Sequence, residues 1–243
     1  MGIGLERECT VVLHSEDEYV KNKFKEDMNC GLWRTNMNKP DLTKMRVEIK
    51  WAEDMWQQIK DATMTTIGKD KGSYPDHDWK LRLLMAEHSP IRLGFVILKI
   101  YNAPQFVHGH LVRHSNGVVP FVSSLRNDRN DYDEAPNRNT LQSATYYFNF
   151  QALINVARKR LCNCASYETR KAFGMIRDEI VKLEPEAASR MVRECVYRNG
   201  MCPEMFSCGY NKTDAFEEEL MEYIKGFESQ ICDKTNIRKG TNE

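Results

Sequence analysis

Between Arg92 and Tyr101 the chain carries Leu93, Phe95, Val96, Ile97, Leu98 and Ile100, with only Gly94 and Lys99 among them. A nearly continuous apolar run of this kind predicts a strand covered on both faces. The next stretch starts a helix at once. Asn102 can cap it, and Pro104 suits the first turn, where a missing N–H costs nothing. Phe106, Val107, Leu111 and Val112 make its apolar stripe, and Asn116-Gly117 stops it. Arg113 and His114 therefore close a helix just before a turn. A short apolar run, Val118 to Val122, then leads into Ser123, Ser124 and Arg126. Cations and hydroxyls on both sides of one turn suit a phosphorylated ligand, because guanidinium forks pair with phosphate oxygens. The same residues also describe a surface helix end with favourable cations at its C-terminus. The pattern alone leaves both readings open.

The 243 residues are enough for one large domain or two small ones. A hydrophobic fraction of 41% supports a real core and excludes global disorder. Zero net charge argues against a nucleic-acid coat or an anionic-membrane binder. No stretch approaches the ~20 apolar residues of a membrane helix. Glu6, Arg7 and Glu8 sit where a signal peptide would need apolar residues. The expectation is a cytoplasmic protein with neither membrane nor nucleic acid as partner.

Elsewhere the spacing predicts amphipathic helices over Trp51–Thr65 and Asp78–Glu87, and a final one from Asp214 to Ile231 with Asp214 and Glu217 as a capping box. From Ala144 to Lys182 the pattern reads as helical throughout. Asn149, Gln151, Asn155 and Arg160 lie on or beside its apolar face. Buried amides and a buried Arg need partners. Those partners are either neighbouring helices or a ligand edge.

Five of the eight cysteines fall between Cys162 and Cys208. Without an export signal, a disulfide framework is not expected. Cys195, Cys202 and Cys208, with Cys164 or Cys162, offer four thiols for a structural zinc or an iron–sulfur centre. Six residues separate Cys195 from Cys202 and five separate Cys202 from Cys208, looser than a zinc knuckle. Buried thiols acting as small hydrophobes are the other reading.

Two separated blocks resemble one family. Ala103-Pro104-x-Phe106-Val107, then Arg113-His114, then Ser123, is similar to the signature of the flavin-dependent thymidylate synthase (ThyX) family. Asn149-Phe-Gln151-Ala-Leu153-Ile-Asn155, continuing to Arg160 and then to Glu168 and Arg170, resembles that family's long helix. His88-Ser89-Pro90 resembles the motif before its central strand. The resemblance implies an α/β (α+β) fold, with helices packed on a curved, mainly antiparallel sheet. It implies a homotetramer whose active sites lie between subunits. The implied activity is methylation of dUMP to dTMP, with methylenetetrahydrofolate and NADPH as co-substrates and FAD as cofactor. Carried over, Ser89, Arg113, His114, Ser115, Asn149, Gln151 and Asn155 would contact the flavin. His110, Arg113, Ser123, Ser124, Arg126 and Arg160 would hold the nucleotide, with Arg160 polarising the uracil.

The chain departs from the family pattern at Ser115, Phe121, Gln151 and Cys162. A short polar loop containing Arg129 and Arg138 stands where the family has a helical insert. These departures keep two further readings in play. One is a flavin-dependent (hydroxy)methyltransferase on another pyrimidine nucleotide. The other is a non-catalytic ThyX-like binding module with a cysteine metal site. The expected organisation is an N-terminal extension (1–48), one catalytic domain (49–232) with a Cys-rich segment (195–209), and a tail (233–243).

Overall fold

A computed structural model describes residues 40–52, 54–129, 135–225 and 227. All lie in one compact unit that begins at Pro40. Most of the N-terminal extension, and the whole 233–243 tail, fall outside the described residues.

Among the described residues the sheet has four antiparallel strands. They are β1 (Arg46–Ala52), β2 (Phe95–Pro104), β3 (Val118–Val122) and β4 (Leu141–Asn149), in the order β1-β2-β4-β3. The α-helices are α1 (Trp56–Thr65), α2 (His77–Ala86), α3 (Gln105–Leu111), α4 (Phe150–Arg160), α5 (Tyr167–Val181), α6 (Pro185–Ser189), α7 (Glu194–Tyr197) and α8 (Asp214–Ile224). This is the mixed α/β class expected from the sequence.

The apolar run is central, as its composition demanded, but among the described residues only one of its faces is sealed. Val96, Leu98 and Ile100 are fully buried, while Phe95, Ile97, Lys99 and Tyr101 on the other face are partly open. In β4 the residues opposite the buried three are Phe148, Tyr146 and Ala144, all buried. Phe173 of α5 packs edge-on against Phe148, with ring centroids 6.4 Å apart. On the open face Arg46 lies 3.6 Å over the Tyr101 ring, with the Lys99 and Lys50 ammonium groups 4.7 and 5.4 Å from it.

The stretch expected to be helical from Ala144 begins instead as strand β4. Gln142, Ala144, Tyr146 and Phe148 alternate inward with exposed or half-buried neighbours, a period of two that the apolar content had masked. A turn capped by Ser166 then separates α4 from α5. Strand β1 occupies residues placed partly in the N-terminal extension and partly in a helix, so the sheet reaches back across position 48. The helix expected from Asn102 starts only at Gln105, because β2 runs on through a bulge where Asn102 takes φ 53°. For α8 the cap is the Thr213 hydroxyl, which accepts from Phe216 N, rather than Asp214.

Two contacts lock the layers around α4. The Phe150 ring covers Gly94 so closely that a Cβ there would lie 2.4 Å from Phe150 Cε2. His108 pins α3 to β4: its Nε2 donates to the Gln142 carbonyl (3.1 Å) and its Nδ1 accepts from the Tyr146 hydroxyl (2.9 Å). Burial lowers its pKa, so the neutral ring sits in the core as a structural pin. Among the described residues no helix is long and apolar enough to cross a membrane.

Candidate functional site

Helix α4 carries the site. Its N-cap is Asn149, whose side chain accepts from Ala152 N at 2.8 Å. Asn149 N donates to the Gly117 carbonyl at 3.0 Å, so the Ser115–Gly117 turn lies against the start of the helix. At the other end the Arg160 Nε donates to His114 Nε2 (2.9 Å), and Nη2 donates to the His110 carbonyl (3.0 Å). Asn149 and Arg160 are eleven positions apart, about three turns at ~3.6 residues each, and share one face. Helical side chains lean towards the N-terminus, which carries Arg160 back to the Arg113–His114 turn. The signature segment and the long helix therefore meet at Arg160 and His114.

The electrostatics follow from this contact. Because Arg160 donates, His114 Nε2 is an acceptor and its proton sits on Nδ1. Burial, then the Arg160 charge, holds the His114 pKa down. His110 is lowered by burial first and then by Arg160, Arg113 and Arg138, with Glu168 opposing. Its Nδ1 lies 2.9 Å from the Thr169 hydroxyl. Three guanidinium groups thus act on His110 and one of them on His114, and Arg160 itself is partly desolvated beside Arg113. Such a pocket favours an anion. Arg160 also borders a cavity of about 300 Å3 lined by Lys159, Cys162, Cys164, Ala165 and Glu204.

Gln151 and Asn155 sit on the opposite face of α4, roughly half a turn round from Asn149 and Arg160. Gln151 Nε2 donates to Glu87 Oε2 at 2.7 Å, and Arg158 Nη1 donates to Asn155 Oδ1 at 3.2 Å. Arg158 forms a short ion pair with Glu87 and stacks 3.5 Å over the Tyr197 ring. This second cluster adjoins Ser89, which begins the Ser89–Leu93 turn two residues after Glu87 and is exposed. Within one chain, therefore, the expected flavin contacts divide between two faces.

The remaining expected residues lie past the end of β3 or in its turn. Ser115 is exposed. The Ser123 hydroxyl accepts from Ser143 N at 3.2 Å, and the Ser124 hydroxyl accepts from Arg126 N at 3.2 Å. Arg126 forms a forked, exposed pair with Asp128, at 2.8 and 2.6 Å. Glu87, Arg158 and Thr169 were missed in the sequence. Arg158 follows Gln151 and Asn155 at i+7 and i+3, so helical spacing could have found it. Glu87 is placed by its left-handed backbone (φ 50°) at the end of α2, which no local pattern announces. Arg138, from the polar loop, lies 5.0 Å over the Phe106 ring of α3.

Among the described residues no group of three or more His, Cys, Asp or Glu stands ready to hold a metal ion. The cysteine segment does converge: Cys162, Cys195, Cys202 and Cys208 line one small cavity, with Cys162 rather than the expected Cys164 in the lining.

No family model matches the chain, and no curated protein matches it in sequence. Solved structures do share its architecture. The flavin-dependent thymidylate synthase ThyX of Helicobacter pylori, crystallised with FAD and dUMP, superposes with a TM-score of 0.52 at 11% identity, covering 61% of this chain and 100% of that one. A UMP/dUMP methylase, PolB of Streptomyces cacaoi, bound with 5-Br dUMP, gives 0.50 at 14% identity, covering 63% and 95%. The chain carries a divergent ThyX-like fold.

Proposed function

We propose that the chain is a flavin-dependent methyltransferase acting on a pyrimidine nucleotide, of the thymidylate synthase type. It would convert dUMP to dTMP with methylenetetrahydrofolate and NADPH, through FAD. The observation that carries this reading is the Arg160–His114 pair, set among guanidinium groups on the helix that joins both sequence blocks. The fold shared with proteins crystallised with FAD and dUMP supports it.

The donor chemistry fits these ligands. Arg113 and Arg138 supply positive charge for phosphate, and Arg113, His114, Ser115 and Asn149 would hold the flavin's polar edge. When bound, FAD supplies the one-carbon and redox chemistry that side chains lack. Arg160, already fixed by His114 and the His110 carbonyl, keeps Nη1 for a ligand oxygen. Placed on a pyrimidine carbonyl, it stabilises the charge that grows there as uracil C5 attacks. His110, Ser123, Ser124 and Arg126 would complete the nucleotide contacts. Ser89, Gln151 and Asn155 face away from Arg160 in their own chain, so we assign them to a neighbouring subunit's half-site in a homotetramer.

The test begins with colour. Protein purified in the dark should carry FAD or take it up. It should then release tritium from dUMP labelled at C5 only when folate and NADPH are present. A protein that rejects FAD would leave only the binding-module reading. A second reading, hydroxymethylation of another pyrimidine nucleotide, is favoured by Gln151 and Arg126 being engaged with Glu87 and Asp128. Turnover of dCMP in preference to dUMP would select it.

A further inference from the structure

The Cys-rich segment is not used by the flavin reading, and it has a geometry of its own. Cys162 follows α4, Cys195 lies in α7, and Cys202 and Cys208 lie in the loop between α7 and α8. These separated residues line one cavity together with Arg193, Glu194, Glu204 and Asn211. Its volume is about 10 Å3, room for one ion and too small for an iron–sulfur cluster. Cys164, just outside, turns its thiol to the Phe206 carbonyl at 3.6 Å.

The loop supplies a second, independent observation. Between Tyr197 and Asp214 the only regular element is the short Tyr210–Lys212 turn. Its far end is fastened by Tyr210, which packs against Val192, Val196 and Phe216, but ahead of it Met201 and Phe206 are exposed and Met205 is 92% exposed. It also has tight turns, with positive φ at Asn199, Gly200 and Gly209, and two cysteines, Cys202 and Cys208, in the cavity lining. The exposed 201–208 stretch ahead of Tyr210 would hold one conformation better with a staple.

We propose that Cys162, Cys195, Cys202 and Cys208 bind one zinc ion, which ties the C-terminal end of α4 to this loop. Four thiolates in a tetrahedron at ~2.3 Å is the closed arrangement of a structural site. The four cysteines line the cavity without yet forming a ready metal cluster, so binding draws their thiols inward by side-chain rotation. It also displaces their protons, four thiols giving four thiolates and four protons to solvent. Cys162 lies two residues after Arg160, so the metal would stiffen the helix end that carries the candidate catalytic group. The zinc site itself does not depend on the flavin reading.

The test uses the full chain, purified with reductant and without chelator or added metal. Elemental analysis should find one zinc per chain. Exchange into cobalt should give the intense visible bands and thiolate charge-transfer absorption of a tetrahedral thiolate site. Cys202→Ser combined with Cys208→Ser should lose the metal, and limited proteolysis should then cut the 198–213 loop. Cys164→Ser should keep both metal and protection. Substoichiometric zinc together with no cobalt–thiolate absorption in the reduced wild-type chain would overturn the proposal. Loss of metal from Cys164→Ser with retention in Cys195→Ser would overturn the ligand set. None of these readouts requires flavin or turnover.

Discussion

Arg160 Nε and His114 Nε2 are 2.9 Å apart, with the guanidinium as donor. One bond therefore joins the end of the long helix to the signature turn, fixes the imidazole tautomer and aims the guanidinium. Arg160→Ala should lower kcat by about 10²–10³-fold, the usual effect of removing one preorganised donor at a developing charge. Bound flavin should be retained, as read by its visible spectrum. Arg160→Lys should recover little, because an ammonium cannot serve His114 and a ligand with one rigid fork. Normal turnover in the alanine variant would remove Arg160 from the catalytic role.

The histidines set an acid limit. His108, His110 and His114 all have folded pKa values below the ordinary 6.5, each chiefly through burial. A group with a depressed folded pKa contributes stability above its unfolded value and loses it as pH falls through the folded one. Stability, read as the urea midpoint, should therefore drop progressively below about pH 6.5, with no matching loss on the alkaline side from these groups. Protonating His114 also removes the acceptor for Arg160, so turnover should fall in the same window. His114→Gln keeps an acceptor and removes that titration; its acid limb should shift to lower pH.

Glu87 and Arg158 form an ion pair whose side chains are 22% and 11% exposed. Removing the carboxylate leaves a nearly buried guanidinium without its counter-charge, and Arg158 Nε already has no partner. Glu87→Ala should cost about 3 kcal/mol, measured by chemical denaturation. Replacing both partners with apolar residues should cost much less. A loss under ~1 kcal/mol in the single variant would show that the pair is effectively solvated.

Gly117 holds φ at 77°, and a Cβ there would lie 2.5 Å from Asn149 Nδ2. Gly117→Ala combines left-handed strain of roughly 1–2 kcal/mol with a clash against the α4 cap. Thermal unfolding should show a lower Tm, and FAD affinity should fall because the Ser115–Gly117 turn must move away from Asn149. An unchanged FAD affinity in a destabilised Gly117→Ala protein would separate the turn from the flavin site.

Much of the fold was legible because its signals are local. The strand through Val96–Ile100, the helix through Ile59 and the final helix around Phe216 each follow a periodicity that burial then enforces. The β4 strand was not legible, because Tyr146 and Phe148 suit a helix stripe as well as a strand face. Only pairing with β2 decides between them. The site shows the same division. Arg113, His114, Asn149 and Arg160 could be named from two blocks, since family-like spacing survives in the chain. That Gln151 and Asn155 face the other way, towards Glu87, follows from the turn of the helix and the position of α2.

The sequence by itself determined which segments seek burial, where the cations and amides lie along the chain, and that cysteines crowd its last third. Only the tertiary structure decided which of them meet. Contacts such as Arg160 with His114, or Arg158 with Glu87, join residues separated by whole elements. Their distances are set by how helices and sheet pack together, a property that no local pattern of residues encodes.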